Sequence, residues 1–214
     1  MQHEIADLRK EYTKLDLNKD KLVEDPFMQF LAWFDEAQKA GTTEPNAMVL
    51  STASSSGRPS SRIVLLKGIE NRTFQFFTNY NSRKGREMEE NPYVSLNFFW
   101  EKLERQVRIE GKVEKASEVV SDEYFHSRPI GSQIGAWASP QSEAIENREV
   151  IEARQKHFED KFKGSSIIPR PPHWGGYNVI PDRFEFWQGR QNRLHDRFVY
   201  TKSKDIWELL RLAP

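Results

Sequence analysis

The sequence feature that most limits the fold is a change of hydrophobic period in the middle of the chain. Between Ala47 and Val113, short segments rich in β-branched and aromatic residues alternate with turn residues, which is typical of strands. Five strands are predicted there, over residues 47–52, 62–67, 73–78, 94–100 and 106–113. Short strands joined by turns or one short helix favour an antiparallel barrel or sandwich.

Helical patterns lie on both sides of this region. Asp25 suits the N-cap of a helix and Pro26 its first turn, and Gly41 ends the apolar spacing that follows. Further helices are predicted over residues 82–91, 117–127 and 141–163, and final strands over 174–177, 183–188 and 197–200. We therefore predict an α+β domain with a mainly antiparallel β core over residues 25–214, preceded by a charged arm over residues 1–24.

Composition excludes several classes of function. The chain has no cysteine, which removes thiol catalysis, and no HExxH motif or histidine cluster that would hold a catalytic metal. Basic and acidic residues balance at 32 each, whereas nucleic-acid-binding domains usually carry a basic excess. The charged N-terminus lacks the apolar segment of a secretory signal, and no apolar run approaches the ~20 residues of a membrane span. We expect a cytoplasmic protein that binds neither membrane nor nucleic acid.

Basic residues beside predicted turns are the first candidates for ligand binding, since the sequence has neither a Walker A motif nor a GxGxxG loop. Arg62 and Lys67 differ in strand parity, so they face one ligand only if one lies beyond the strand end or a bulge intervenes. The apolar run between them is typical of a strand buried on both faces. The alternative is that both are charged strand ends in water.

A second basic pair lies at the start of the predicted helix over residues 82–91. Ser82 suits the N-cap, which places Arg83 and Lys84 in the first turn. Free backbone N–H groups there attract anions, and cations are unfavourable there unless they share an anionic ligand. The pair therefore indicates a phosphate, with an ordinary solvated basic pair as the alternative.

Two further groups of polar residues are candidates. Tyr124, Arg128 and Ser132 are spaced four apart, and although Pro129 interrupts a continuous helix, a turn would let them converge on one phosphate. Gln106 lies on a predicted strand, where its amide could bond the edge of a flat heteroaromatic ligand. The alternatives are a capping region with surface charge and a strand face in solvent.

The segment WQGRQNRLHDR, from Trp187 to Arg197, concentrates three arginines, one histidine and one aspartate in a predicted loop. Arg193 and His195 are two apart and share one face of an extended backbone. A lone histidine is more often structural than catalytic. Its arginine neighbours favour an anion-binding site in which His195 is an acid, a base or a hydrogen-bond donor.

Together these segments resemble the pyridoxine/pyridoxamine 5′-phosphate oxidases, flavin enzymes that make pyridoxal 5′-phosphate. The resemblance runs from residue 9 to residue 214, and the order and spacing of its short motifs are specific. The motifs are RIVLLKG at 62–68, FFTNYNSRKG at 76–85, ERQVRIEG at 104–111, YFHSRP at 124–129, SQIGAWAS at 132–139, WGGY at 174–177, EFWQG at 185–189, RLHDRF at 193–198 and RLAP at 211–214. This resemblance implies an FMN-binding split β-barrel and a homodimer with FMN in clefts between the subunits.

The resemblance also implies residue roles. The implied FMN contacts are Arg62, Ile63, Val64, Leu65, Leu66, Lys67, Phe77, Thr78, Arg83, Lys84, Gln106, Gln141, Ser142, Trp187 and Arg197. The implied substrate contacts are Arg9, Lys10, Glu11, Tyr12, Lys67, Tyr124, Arg128, Ser132, Arg193, Leu194 and His195, and the first four would close over the substrate. Arg193 and His195 would be catalytic, and Arg190 receives no role.

The reaction that the resemblance implies is oxidation of pyridoxamine or pyridoxine 5′-phosphate at the C4′ carbon. A hydride equivalent passes to the flavin, O2 reoxidises it with formation of H2O2, and the amine substrate releases ammonia. Two other interpretations are kept: a split-barrel flavin reductase and a non-catalytic carrier of FMN or pyridoxal phosphate. The reductase is disfavoured because a second phosphorylated ligand would fit the set Tyr124, Arg128, Ser132, Arg193 and His195.

Overall fold

A computed structural model describes Leu8 and residues 11–214, which form two compact units. The first unit contains the described residues up to Val49 together with Ser95–Gly111 and Pro181–Pro214. The second unit contains Leu50–Val94 and Lys112–Ile180. Several strands run from one unit into the other, so the units are not successive segments of the chain.

The described residues form an α+β structure, as the sequence predicts. The strands are β1 Ala47–Ala53, β2 Pro59–Leu65, β3 Gly68–Glu70, β4 Thr73–Asn79, β5 Tyr93–Trp100, β6 Arg105–Lys115, β7 Trp174–Gln188, β8 Asp196–Ser203 and β9 Ile206–Leu212. The helices are α1 Pro26–Lys39, α2 Arg83–Glu90, α3 Glu118–Ser127, α4 Ile130–Ala138 and α5 Arg148–Phe162, with short 3-10 turns at Lys19–Lys21 and Gln191–Arg193.

The strands join in the order β2-β1-β5-β6-β7-β4-β3, and β8 pairs with both β7 and β9. The pairs β3–β4, β4–β7, β7–β8 and β8–β9 are antiparallel, which agrees with the predicted β core. Two strands predicted separately near residues 174 and 183 are the single strand β7. Its residues 174–179 pair with β4 and its residues 183–188 with β8, so Pro181, which has no N–H to donate, falls between the two registers.

Helix α1 carries the aromatic core of the first unit. Asp25 caps it by accepting a hydrogen bond from the Phe27 N–H at 2.9 Å, as predicted. Phe30 contacts Phe98 with ring centroids 5.0 Å apart, and Trp33 contacts Phe186 at 5.2 Å. All four of these rings are buried, and each fully buried aromatic side chain contributes roughly 2–3 kcal/mol.

A stack of aromatic rings organises the second unit. The rings of Phe77 and Tyr124 lie 3.8 Å apart, and Tyr124 is parallel to Trp174 within 5° at 6.2 Å. Because Tyr124 belongs to α3 and the other two rings to β4 and β7, the stack fixes this helix against the sheet. Gly175 is required beside it, since the Tyr80 hydroxyl occupies the space that a side chain at position 175 would need.

Strand β2 differs from its prediction at its end and in its burial. It stops at Leu65, and the short strand β3, which the sequence did not indicate, follows Lys67. The apolar run was expected to be buried on both faces, but Ile63 is 65% exposed. That expectation is wrong because exposure alternates along β2, and the face that carries Ile63 is open.

Two helical predictions also need correction. The helix predicted over residues 141–163 begins only at Arg148, because the Asn147 side chain caps it by accepting from the Val150 N–H. The preceding residues are not helical, and Ser142 has a φ of +73°. Helix α4, which was not predicted, begins directly after Pro129, a residue that sequence reasoning treated only as a stop signal.

Substituting Gly85 should destabilise the protein. A Cβ at this position would overlap the carbonyl oxygen of Tyr80, which is backbone and cannot move away cheaply. We expect Gly85→Ala to lower the free energy of unfolding by roughly 1–3 kcal/mol, seen as a lower denaturant midpoint. Gly131→Ala is the matched control, since its Cβ would meet nothing within 4 Å and alanine is the better helix former. Equal midpoints for the two variants would contradict this packing.

Candidate active site

A cleft of about 440 Å³ lies in the second unit, where strand ends and helices α2, α3 and α4 present polar side chains to one space. Many of the residues proposed from the sequence line it. They are Ile63, Val64, Leu65, Lys67, Phe77, Thr78, Lys84, Tyr124, Arg128, Ser132 and Gln141. Residues that are distant in sequence, and that the sequence analysis assigned to two different ligands, FMN and the substrate, therefore share one cavity.

Lys84 is a buried cation in this cleft. Its Nζ donates to Thr78 Oγ1 at 2.8 Å, to Ser82 Oγ at 3.1 Å and to Gln141 Oε1 at 3.0 Å. All three acceptors are neutral. Burial, followed by the nearby Arg62 guanidinium, lowers the pKa of Lys84 to about 8. An anion in the cleft would reverse this effect because it stabilises the charged ammonium.

Arg128 is a second, half-buried cation of the cleft. Its guanidinium lies over the Trp174 ring, 4.5 Å from the centroid. One of its terminal nitrogens, NH1, is buried without a hydrogen-bond partner, and burial lowers the pKa of this arginine. Within the described part of the chain, no carboxylate forms a salt bridge with Arg128 or Lys84. Both cations therefore lack the anionic partner that buried charges normally have.

Tyr124, Arg128 and Ser132 do come together at the cleft. The chain leaves α3 at Ser127 and enters α4 at Ile130, so the turn at Pro129 replaces the continuous helix that their spacing would otherwise need. The Ser132 N–H donates to the Pro129 carbonyl at 2.8 Å, which begins the new helix. This is the convergence through a turn that the spacing allowed.

Lys67 lies beyond the end of β2, the first of the two ways in which it could join a ligand site. Its N–H donates to the Gln75 carbonyl at 2.8 Å, and its Nζ lies 5.9 Å from the centroid of the Tyr124 ring. Arg62 does not line the cleft and instead donates to Thr52 Oγ1 at 2.6 Å. Arg62 and Lys67, which differ in strand parity, therefore do not line the same cleft.

The basic pair at the start of α2 also divides. Lys84 enters the cleft, whereas Arg83 donates to the buried carboxylate of Glu87 at 2.8 Å. Glu87 also accepts from Ser60 at 2.6 Å and from Arg62 at 3.3 Å. Burial raises the pKa of Glu87, but hydrogen bonds from Ser60, Thr52 and Arg83 outweigh that effect and bring it to about 2. Arg62 and Arg83 therefore have a carboxylate partner that Lys84 lacks.

Several cleft residues were missed by sequence reasoning. They are Asn79, Gly135, Ala136, Ser139 and Trp174. All five fall inside the motifs FFTNYNSRKG, SQIGAWAS and WGGY, so their positions were accessible even though no role was assigned. The buried partnership of Glu87 with Thr52 and Ser60 joins residues far apart in sequence and had no local signal.

The segment from Trp187 to Arg197 lies in the first unit. His195 contacts Trp187 with ring centroids 4.6 Å apart, and Tyr12 of the arm meets both rings edge-on at 5.9 and 5.7 Å. Gly189 leaves room for this tyrosine, because a Cβ there would lie 2.7 Å from Tyr12 Cγ. The arm at Tyr12 is thus packed on the segment that the sequence singled out.

The other proposed residues of the first unit lie as follows. Arg193 belongs to a 3-10 turn with a φ of +61°, and Leu194 is 67% exposed. Arg197 pairs across the strands with Trp187 and binds Glu185 at 2.8 Å, while Gln106 is half-buried on β6. Glu11 is exposed, and Arg9 and Lys10 lie outside the described residues. Leu66 is buried and Ser142 exposed in the second unit, and neither lines the cleft.

The described residues contain neither a candidate metal site nor a helix that could span a membrane. No group of three or more histidine, aspartate or glutamate side chains there could hold a metal ion. None of the helices that these residues form is both long enough and apolar enough to cross a membrane.

Two family models match the chain. The model described as pyridoxamine 5′-phosphate oxidase matches residues 34–162, and the model described as the pyridoxine 5′-phosphate oxidase C-terminal dimerisation region matches residues 174–214. Of the residues that line the cleft, Trp174 is the first residue of the second match, and the others fall within the first match.

Curated relatives match over the whole chain. Proteins named pyridoxine/pyridoxamine 5′-phosphate oxidase from Burkholderia multivorans and Rubrobacter xylanophilus are 54% and 56% identical, covering 98% and 99% of this chain and 99% and 97% of their own. A protein of the same name from Trichormus variabilis is 54% identical and covers both chains completely.

Solved structures match as well. PhzG from Burkholderia lata, in complex with tetrahydrophenazine-1-carboxylic acid, has a TM-score of 0.87 at 30% identity and covers 94% of this chain and 100% of its own. A pyridoxamine 5′-phosphate oxidase-related, FMN-binding protein from Nostoc punctiforme has a TM-score of 0.70 at 14% identity, covering 90% and 100%. This second match concerns the fold alone and confirms the split-barrel fold that the sequence predicts.

Burying Lys84 without an anion should make the stability of the free protein depend on pH. Because its pKa is about 8 when folded and 10.5 when unfolded, the unfolded chain binds more protons between these values, and stability rises with pH there. Between pH 7.5 and pH 10, we expect the free energy of unfolding of wild type to rise relative to that of Lys84→Met by up to roughly 3 kcal/mol, measured by denaturant unfolding. The exposed Lys156→Met is the control and should show no such change. A pH-independent difference between wild type and Lys84→Met would refute the burial cost.

Proposed function

Because the chain belongs to the pyridoxamine 5′-phosphate oxidase family, we propose that it oxidises pyridoxamine 5′-phosphate and pyridoxine 5′-phosphate to pyridoxal 5′-phosphate with FMN and O2. H2O2 is the second product, and the amine substrate also releases ammonia. Relatives of this name at 54–56% identity support the proposal over the full chain length. The observation that carries it in this chain is a pair of cations, the buried Lys84 and the half-buried Arg128, that line one cleft without an anionic partner among the described residues.

The residues of the cleft fit a phosphorylated flavin. A volume of about 440 Å³ lies within the range of cofactor and small-molecule sites. Lys84 supplies an ammonium beside the Thr78 hydroxyl and the Gln141 amide, a donor set suited to phosphate or to the polar edge of a flavin. When bound, FMN supplies the redox chemistry, taking electrons from the substrate carbon and passing them to O2.

The residues around Arg128 are assigned to the substrate phosphate. A guanidinium binds phosphate oxygens through two parallel N–H bonds, and its unpartnered nitrogen is available for this. The hydroxyls of Tyr124 and Ser132 line the same cleft and would satisfy remaining phosphate oxygens. Lys67, close to the Tyr124 ring, is assigned to the same ligand. Arg193 and His195 are proposed to hold the substrate with its reacting carbon against the flavin.

We also propose that the protein works as a homodimer. The family model for the dimerisation region covers residues 174–214. Within that range Ile206 and Leu210 on β9 are 71% and 58% exposed, which leaves apolar surface for a partner subunit. The FMN roles of Arg62, Leu66, Arg83, Gln106, Ser142, Trp187 and Arg197 stay predictions, as do the substrate roles of residues 9–12.

Arg128→Met should weaken binding of the substrate phosphate without releasing the flavin. Losing charge-assisted hydrogen bonds worth roughly 1.5–3 kcal/mol should raise KM for pyridoxamine 5′-phosphate about tenfold to a hundredfold. Peroxide formation measures turnover, and flavin fluorescence measures retention of FMN. Arg148→Met is the matched control, since this arginine is exposed and pairs only along its own helix with Glu152. An unchanged KM, or equal turnover of unphosphorylated pyridoxamine by wild type, would contradict the assignment.

The catalytic assignment separates the oxidase from a carrier. We expect the double variant Arg193→Leu/His195→Leu to bind FMN like wild type and to lose most of its turnover. A carrier would bind FMN and form no peroxide in either protein. Wild-type turnover in the double variant would refute the catalytic roles while leaving the oxidase activity itself established.

A further inference from the structure

The protonation of His195 is constrained by the backbone beside it. Its Nδ1 lies 3.1 Å from the backbone nitrogen of Arg190. A backbone N–H can only donate, so Nδ1 must offer its lone pair. A neutral imidazole has one proton, which then resides on Nε2.

The loop that presents this N–H is held from two sides. The Gly189 N–H donates to the Glu104 carbonyl at 2.8 Å, which fixes the preceding peptide. The Arg190 guanidinium lies 3.5 Å from an oxygen of Asp196, the residue that follows His195. The loop is thus closed on itself, with the histidine inside the closure.

Asp196 ties this loop to two other segments of the first unit. Its carboxylate accepts the Leu17 N–H of the arm at 3.1 Å and pairs with Arg211 of β9 at 3.2 Å. The Asp196 side chain is only 13% exposed, although both arginine partners reach solvent. Three segments therefore meet on one carboxylate beside His195, and no function was predicted for either Asp196 or Arg190.

The imidazole ring itself has little freedom to turn. Trp187 packs against it at 4.6 Å and Tyr12 meets it at 5.9 Å. Rotating the ring by half a turn would replace Nδ1 with a C–H group and leave the part-buried Arg190 N–H without its acceptor, at a cost of about 1 kcal/mol.

We propose that Asp196 and the Arg190 backbone are positioning groups that fix His195 as the Nε2–H tautomer, so that His195 serves the substrate as a hydrogen-bond donor and not as a general base. To act as a base, a neutral histidine needs a lone pair on the nitrogen that faces the substrate. Here the lone pair lies on Nδ1 and accepts from the Arg190 N–H, which leaves the proton on Nε2. The role toward the substrate rests on the proposed function, whereas the tautomer does not.

The charges around His195 favour the same state. Among the described residues, Tyr12 contacts the His195 ring and the Arg193 charge acts on it, while the Arg190 guanidinium pairs with the neighbouring Asp196. Burial, followed by the Arg193 charge, lowers the pKa of His195. Adding a proton at Nδ1 would also set two N–H groups against each other, so the neutral donor form is the one retained near neutral pH.

The tautomer can be read directly by long-range ¹H–¹⁵N NMR of protein labelled at histidine, with His195→Gln to assign the signal. We expect wild type with FMN to show His195 with a protonated Nε2 and an unprotonated Nδ1. Asp196→Ala should give a mixture of tautomers and lower kcat about tenfold or more with a smaller change in KM. Asp196→Asn keeps an acceptor for the Leu17 N–H, so its tautomer population and kcat should lie between those of wild type and Asp196→Ala. Asp205→Ala, at the exposed β8–β9 turn, is the control and should match wild type.

The outcomes separate this inference from the proposed function. A protonated Nδ1, or a mixture of tautomers in wild type, overturns the inference without requiring any variant to fold. A wild-type tautomer and kcat in Asp196→Ala overturns the role of Asp196. A fixed Nε2–H tautomer in a protein that does not oxidise pyridoxamine 5′-phosphate refutes the proposed function and leaves the tautomer assignment standing.

Discussion

The constraint on which the site depends is the burial of positive charge without an opposite charge. Lys84 is buried and Arg128 half-buried in one cleft, where Lys84 donates to neutral groups and the Arg128 guanidinium lies over an aromatic ring. Such groups lower the stability of the free protein, and an anionic ligand removes that cost because it supplies the missing partner. Local features of the second unit serve this arrangement: the Ser82 cap, the glycine at position 85 and the aromatic stack.

A comparison with Arg62 shows that the missing partner is a property of particular positions. Arg62 is as basic as Arg128, but the buried carboxylate of Glu87 compensates it. The second unit can therefore neutralise a half-buried arginine with its own residues. Leaving Lys84 and Arg128 uncompensated in the cleft is consistent with a site whose charges are balanced by ligands.

Local signals in the sequence predicted much of this structure. The Ser82 cap and the Asp25 cap each depend on neighbouring residues, and both agree with the structure. Arg62 and Lys67 differed in parity, and Lys67 does lie beyond the strand end. Long-range partnerships gave no such signal: Glu87 meets Thr52 across 35 positions, and Asp196 meets Leu17 across 179. The start of α4 after Pro129 was missed because proline both ends one helix and begins the next.

We propose that the chain uses its cleft to oxidise a phosphorylated substrate through a bound flavin. The visible spectrum of the FMN-loaded protein, mixed anaerobically with pyridoxamine 5′-phosphate and then exposed to air, tests this proposal. We expect the yellow absorption to bleach on mixing and to return with O2, and unphosphorylated pyridoxamine at the same concentration to leave it nearly unchanged. A flavin that binds but keeps its colour with the phosphorylated substrate would refute the proposed oxidation.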